Sequence, residues 1–211
     1  GGLLLDPIPS EVHESEKLTP EDLQSCWAQL RPHAKRISVF CYPDAPLLRW
    51  LEDLANSGEN FDILLTHGQL EQLKLSTSKP IILPKSIQLI SIPFVSQDEY
   101  DWVLTQCDFN IVRGEDSFVR AQLAGKPFIW HIYQQKDRAH EVKLAAFLDL
   151  YLDNTPQALR LAVINAMTWG MPSQWLESLD AWNAHAKLWR AHLLKKHGDG
   201  GLPARLIRFI A

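Results

Sequence analysis

The stretch from Asp108 to Tyr133 constrains the fold of this chain more than any other. Asp108-Phe-Asn-Ile-Val112 is a short apolar run rich in strand formers. Gly114 follows, free to take turn conformations. Glu115, Asp116 and Ser117 are residue types that favour a helix start. Phe118, Val119, Leu123 and Ala124 supply apolar positions at helical spacing. Gly125 stops that helix, and Pro127 prevents its continuation. Phe128-Ile-Trp130 reads as the next strand. The unit is therefore strand, turn, helix, strand. Its turn lies at the carboxyl end of a strand, the edge at which open α/β sheets bind ligands.

The rest of the chain repeats that alternation. Thr19-Pro-Glu-Asp22 opens a helix running to about Gln29, after a polar, proline-bearing linker over residues 1–19. Strands are expected at Ile37–Tyr42, Phe61–Leu65 and Ile87–Ile90. Helices are expected at Pro46–Asn56, Leu70–Leu75 and Ser96–Gln106, the last with a Ser96-Gln-Asp-Glu99 capping box. Further helices follow over His140–Leu152 and from Thr155-Pro156 to Trp169. Pro172–His197 reads as one long helix, with Trp175, Leu179, Trp182, Ala186 and Trp189 at three- and four-residue steps. Gly198–Gly201 breaks it before a last short helix at Leu202–Ile210. Strands alternating with helices predict an α/β fold, a Rossmann-like parallel sheet with helices on both faces. No G-x-G-x-x-G follows the first strand, which argues against nicotinamide or flavin binding of the usual kind.

The turn after Val112 has distinctive chemistry. A helix N-terminus offers free N–H groups and a partial positive charge, which suits a phosphate. Two carboxylates beside it repel a diphosphate but can accept hydrogen bonds from sugar hydroxyls. Glu115 and Asp116 can thus hold a sugar while the Ser117 amide and hydroxyl hold a phosphate, the two parts of a nucleotide-sugar. The plainer alternative is that both acids only cap the helix and complement its dipole. Arg113 either pairs with a diphosphate or anchors Asp108 or Glu115.

Composition removes other classes. A net charge of −4 and the lack of a basic run disfavour nucleic acid. No apolar stretch approaches the roughly 20 residues of a membrane span. The start, Gly1-Gly-Leu-Leu-Leu5, lacks the basic region of a secretory signal. The three cysteines, Cys26, Cys41 and Cys107, are widely spaced and read as reduced, buried and cytoplasmic. Scattered histidines without H-x-x-x-H spacing, and the lack of an Asp-x-Asp signature, give no metal site.

Arg113-Gly-Glu-Asp-Ser-Phe-Val-Arg-Ala-Gln, followed by Gly-Lys-Pro-Phe-Ile-Trp-His-Ile-Tyr133, resembles the signature of the bacterial elongation factor P arginine rhamnosyltransferases, the EarP family. Ile92-Pro-Phe-Val-Ser-Gln-Asp-Glu-Tyr-Asp101 and Cys107–Val112 extend the match, while Leu123 and Gln134 depart from the family's Trp and Pro. The resemblance implies a C-terminal lobe of a GT-B glycosyltransferase. Residues 1–30 then form a linker and lead-in helix from a missing N-terminal lobe. Residues 31–171 form the nucleotide-sugar-binding domain, and residues 172–211 cross back to the first lobe. A plain core role for the tryptophan stripe is the alternative to that crossing.

The resemblance also assigns residues. Phe94 and Gln97 match nucleotide-pocket positions, with Phe94 stacking on a pyrimidine and Gln97 at its edge. Bare of the match, Phe94 reads as core and Gln97 as solvated. Phe40 and Tyr42 match donor-site positions at the end of the first strand, one of them expected to face the core. Tyr133 can donate to a diphosphate oxygen and relieve leaving-group charge without a metal. Glu115 and Asp116 stand as catalytic and substrate-binding, and Ser117 as substrate-binding.

The reaction implied is inverting transfer of L-rhamnose from dTDP-β-L-rhamnose, with no cofactor, to an arginine of elongation factor P. The family's catalytic Asp belongs to the N-terminal lobe, so the chain alone is expected to bind donor without turnover. A different GT-B transferase or a sugar-nucleotide epimerase, and a non-catalytic nucleotide-sugar-binding module, are the competing readings.

Overall fold

The computed structural model describes residues 19–77 and 80–197. The expected linker before Thr19, the Gly198–Gly201 break and the Leu202–Ile210 helix lie outside them. A 3-10 turn at Glu21–Leu23 leads into α1 (Gln24–Trp27). Then follow β1 (Lys35–Val39), α2 (Leu47–Ala55), β2 (Phe61–Leu65), α3 (Gln69–Leu75) and β3 (Ile87–Ser91). The second half runs α4 (Gln97–Gln106), β4 (Phe109–Arg113), α5 (Asp116–Ala124), β5 (Phe128–His131), α6 (Ala139–Tyr151) and α7 (Gln157–Met167). Two 3-10 turns, Pro172–Gln174 and Leu176–Ser178, precede α8 (Leu179–His197).

The five strands form one sheet in the order β3-β2-β1-β4-β5. Every pairing is parallel, with Val39 opposite both Leu65 and Ile111, and Arg113 opposite His131. Parallel strands need covered faces, and the side chains divide accordingly. Phe61, Ile63 and Leu65 enter one apolar cluster with Trp50, Tyr151, Trp175 and Trp182, while Leu64 enters another with Leu23, Cys26, Ile90 and Trp102. The expected Rossmann-like sheet with helices on both faces is the observed one.

The lead-in segment is tied to this sheet by one cation. Arg31 donates through Nε and its backbone N–H to the Asp62 carboxylate, both at 2.7 Å, and its two Nη groups reach the carbonyls of Phe61, Lys85 and Ser86. Asp62 is fully buried, so a charged partner with several donors is what makes its burial tolerable.

Two local boundaries differ from expectation. The first strand ends at Val39: Phe40 still donates to the Ile111 carbonyl, but the Arg113 N–H turns to Ser117 and the chain bends at Tyr42–Ala45. Phe40 and Tyr42 thus lie in a loop. The helix expected from Pro172 begins only at Leu179, since Trp175 adopts φ −138°, outside the helical range. The tryptophans themselves are core: Trp175, Trp182 and Trp189 are all buried.

Candidate functional site

The chain runs outward from β1 to β3, then returns to place β4 beside β1. The loops leaving β1 and β4 therefore diverge, and the crevice between them is where ligands of open α/β sheets bind. Phe40–Tyr42 form one wall and Arg113–Ser117 the other.

Arg113 joins the two walls. Its guanidinium carbon lies 4.1 Å from the Phe40 ring centroid and 5.0 Å from that of Tyr42, and Nη1 donates to the Cys41 carbonyl at 3.3 Å. It does not anchor either acid: Asp108 accepts from the Arg36 amide, and Glu115 faces Lys143. Nor do Phe40 and Tyr42 divide into one core and one site residue. Past the strand, alternation no longer applies, and both half-buried rings face the same cation. A guanidinium held over aromatic faces keeps donors available for an anion.

The turn between β4 and α5 falls where the sequence places it, but neither the Glu115 cap nor a free Ser117 hydroxyl is found there. Gly114 adopts φ +64°, and an added Cβ would stand 3.5 Å from the Tyr42 hydroxyl, so the turn packs against the opposite wall. Trp130 Nε1 donates to the Gly114 carbonyl at 2.7 Å, and Phe118 stacks on the Trp130 ring at 3.8 Å. Glu115 occupies the N-cap position without a capping side-chain hydrogen bond. Its carboxylate, 80% exposed, meets Lys143 Nζ at 3.2 Å. Asp116, 70% exposed, accepts from Arg120 Nε at 2.9 Å, and Arg120 also reaches Asp101 at 2.8 Å. The exposed Lys143–Glu115 pair is worth up to about 1 kcal/mol, and the Asp116 carboxylate, itself open to solvent, has acceptor capacity beyond its bond to Arg120, so both acids can accept from a polyol. Ser117 is buried, and its hydroxyl accepts from the Arg113 N–H while donating to the Arg113 carbonyl. That hydroxyl closes its own turn, which leaves the first-turn N–H groups as its helix's means of holding a phosphate.

Tyr133 follows β5, 63% exposed, with its ring 5.6 Å from that of Tyr42. The crevice therefore gathers Phe40, Tyr42, Arg113, Gly114, Glu115, Asp116, Ser117 and Tyr133. Phe94 and Gln97 sit apart, after β3 and at the first turn of α4. Phe94 is 83% exposed, with His67 edge-on at 6.4 Å, so it is no core residue. The capping box over Ser96–Glu99 fixes this loop: Ser96 Oγ accepts from the Glu99 amide and Glu99 accepts from the Ser96 amide. Hydrogen bonding from Ser96 lowers the Glu99 pKa. Tyr100, on the same helix as Gln97, sets its ring edge-on to Phe40 at 6.0 Å. The sequence reading missed Tyr100, although it stands three residues after Gln97, on the same helix face.

No thiol serves as nucleophile here. Cys26, Cys41 and Cys107 are free and buried, and burial pushes Cys41 and Cys107 up to about 12. Among the described residues no group of three or more His, Cys, Asp and Glu side chains could hold a metal, and no helix is long and apolar enough to cross a membrane. A cavity of about 430 Å³ lies elsewhere, between α7 and the 3-10 turns, lined by Leu161, Asn165 and Gln174. Convergent charge, aromatic faces and the switch in strand order favour the crevice over that groove.

The family model described as elongation factor P (EF-P) rhamnosyltransferase EarP matches residues 1–211. The protein-arginine rhamnosyltransferase of Pseudomonas putida is 38% identical over 185 residues, covering 80% of this chain and 49% of that protein. Its counterpart in Pseudomonas aeruginosa is 34% identical over 206 residues, covering 90% and 54%. The chain thus spans about half the length of the curated relatives it matches. A solved structure from work on EarP-mediated arginine glycosylation of translation elongation factor EF-P superposes with a TM-score of 0.73 at 33% identity, covering 89% of this chain and 64% of that one. The spinosyn forosaminyltransferase SpnP, at 15% identity and a TM-score of 0.50 over 87% of this chain and 46% of its own, shares the fold.

Proposed function

This chain belongs to the EF-P rhamnosyltransferase family EarP, and from that membership we propose that it forms the donor-binding half of a protein-arginine rhamnosyltransferase. The donor is dTDP-β-L-rhamnose and the acceptor is an arginine of EF-P. Because the acceptor is a translation factor, the reaction takes place in the cytoplasm. One observation carries the reading: at the switch in strand order, the Arg113 guanidinium lies over Phe40 and Tyr42, on the same turn that carries the exposed acids Glu115 and Asp116. A cation beside carboxylates suits a ligand that is anionic at one end and a polyol at the other.

In this mechanism Arg113, Tyr133 and the first-turn amides of α5 hold the diphosphate. Glu115 and Asp116 accept hydrogen bonds from rhamnose hydroxyls, and Phe94 offers its exposed ring to the thymine, with Gln97 at the base edge. An acceptor guanidinium nitrogen attacks the rhamnose C1, the N–C bond forms, and the C1–O bond to dTDP breaks with inversion. The charged guanidinium is a poor nucleophile, so its proton passes to a carboxylate base, expected in the other half of the enzyme. Positive charge and phenol hydrogen bonds on the departing diphosphate substitute for a metal ion.

Incubation of the full-length protein with dTDP-rhamnose and EF-P, read by intact mass and peptide fragmentation, tests the proposal. Addition of one rhamnose to an EF-P arginine is the expected result. Tighter binding of a different sugar nucleotide would point to another transferase or an epimerase. Donor binding without transfer would point to a binding module.

A further inference from the structure

His131 ends β5 directly opposite Arg113 of β4 and is 5% exposed. Its Nδ1 lies 3.1 Å from the Tyr42 backbone nitrogen, which donates to it. A nitrogen that accepts carries no proton, so the neutral ring holds its proton on Nε2. Nε2 faces the Asp44 carboxylate at 3.7 Å, beyond hydrogen-bond length. The ring also meets those of Tyr42 at 5.3 Å and Trp169 at 5.2 Å, both edge-on. On the other side of the same loop, Gln69 takes the Cys41 amide and carbonyl, each at 3.0 Å. The loop carrying Phe40 and Tyr42 is therefore held at two successive residues, one of them by an acceptor that can be lost on protonation.

We propose that His131 is a positioning residue for the donor crevice: its unprotonated Nδ1 fixes Tyr42 against Gly114 and Arg113, so protonation of His131 loosens the loop and weakens binding of the sugar-nucleotide diphosphate. An imidazolium has two N–H groups, and its Nδ1–H would confront the Tyr42 N–H, leaving a part-buried donor without its acceptor. The charged groups facing the ring are Asp44, from the β1–α2 loop, and Arg113, from β4. Burial lowers the His131 pKa, Asp44 opposes that shift and Arg113 adds to it. The neutral ring therefore prevails at neutral pH, and the acceptor disappears only as pH falls below the ordinary histidine range of about 6.5. The proposal rests on the donor reading of the crevice.

The test is the affinity of the full-length protein for dTDP-rhamnose between about pH 5 and 8, a range in which the ligand's phosphates keep their charge and histidine titrates. Wild type should weaken towards acid pH. His131→Asn places its amide oxygen where Nδ1 stood, so it should rescue neutral-pH affinity and flatten the profile. His131→Leu should also give a flat profile, with affinity lowered about tenfold at neutral pH, the loss of one hydrogen bond to a part-buried donor. Asp44→Asn removes the charge that favours the imidazolium, so it should move the acid fall to lower pH. A flat wild-type profile, or an unchanged acid fall in His131→Asn, would overturn the proposal. Nitrogen-15 spectra of the ring decide the matter without ligand: an unprotonated Nδ1 whose titration moves the Tyr42 amide supports it, and a protonated Nδ1 at neutral pH refutes it. Failure of dTDP-rhamnose to bind at any pH would instead count against the donor reading.

Discussion

Glu115 and Asp116 hold their own charges at the surface, Glu115 beside the half-exposed Lys143 and Asp116 beside Arg120, which is largely buried and keeps Asp101 as a second partner. Changing either to its amide removes such a pair and little else, so Glu115→Gln and Asp116→Asn should remain folded, with stability altered by about 1 kcal/mol or less. Their ligand selectivity should change more. Sugar hydroxyls donate to a carboxylate, whereas diphosphate oxygens are repelled by it. Both variants should bind dTDP-rhamnose more weakly and pyrophosphate as well as wild type or better, in parallel calorimetric titrations. Wild-type binding and activity in both would remove the acidic turn from the site. On the proposed reading Phe94 meets the base end of the ligand; its ring is open to solvent beside His67. Phe94→Ala should lose roughly 1–3 kcal/mol of dTDP affinity in a folded protein, the worth of one base–aromatic stack; unchanged affinity would assign the base elsewhere.

At the scale of elements, α8 holds the crevice strands from behind. Trp182 is fully buried, donates from Nε1 to the Tyr151 hydroxyl at 3.0 Å, and meets Phe109 of β4 edge-on at 5.5 Å. Truncation leaves a large cavity and an unpaired phenol, so Trp182→Ala should cost about 3–5 kcal/mol, read from a denaturant midpoint. A shift under about 1 kcal/mol would mean that α8 adds little to the core. These elements were legible because each carries its own punctuation: Ser96 and Glu99 open α4, Gly125 closes α5, and Trp182 and Trp189 repeat at helical steps. The long helix was placed too early because spacing is blind to the one residue, Trp175, whose backbone leaves helical geometry. The acids and the turn of the site were legible for the same local reason. The Arg113 stack and the His131 acceptor were not, since both depend on strand register: β4 had to lie between β1 and β5 before either could meet the Phe40–Tyr42 loop.

At the scale of the molecule, the strand order makes the crevice and the long-range bonds hold it in place. Arg31 fastens the lead-in segment to the sheet through the buried Asp62. Arg31→Met leaves that carboxylate without its cation and should destabilise the fold by about 3–5 kcal/mol in urea titration; an unchanged midpoint would mean that Asp62 is held by other means. Under the proposed mechanism Arg113 supplies the charge compensation at the crevice, so donor affinity should survive EDTA, and a large loss restored by Mg²⁺ or Mn²⁺ would replace that account with a metal-dependent one. On the proposed reading the donor binds where β1 and β4 part, not in the groove of α7. Amide chemical-shift mapping during titration with dTDP-rhamnose tests this directly. Shifts concentrated at Phe40–Tyr42, Phe94–Gln97 and Gly114–Ser117 are the expected result. Shifts concentrated at Leu161, Asn165 and Gln174, with the Gly114–Ser117 turn unmoved, would contradict it.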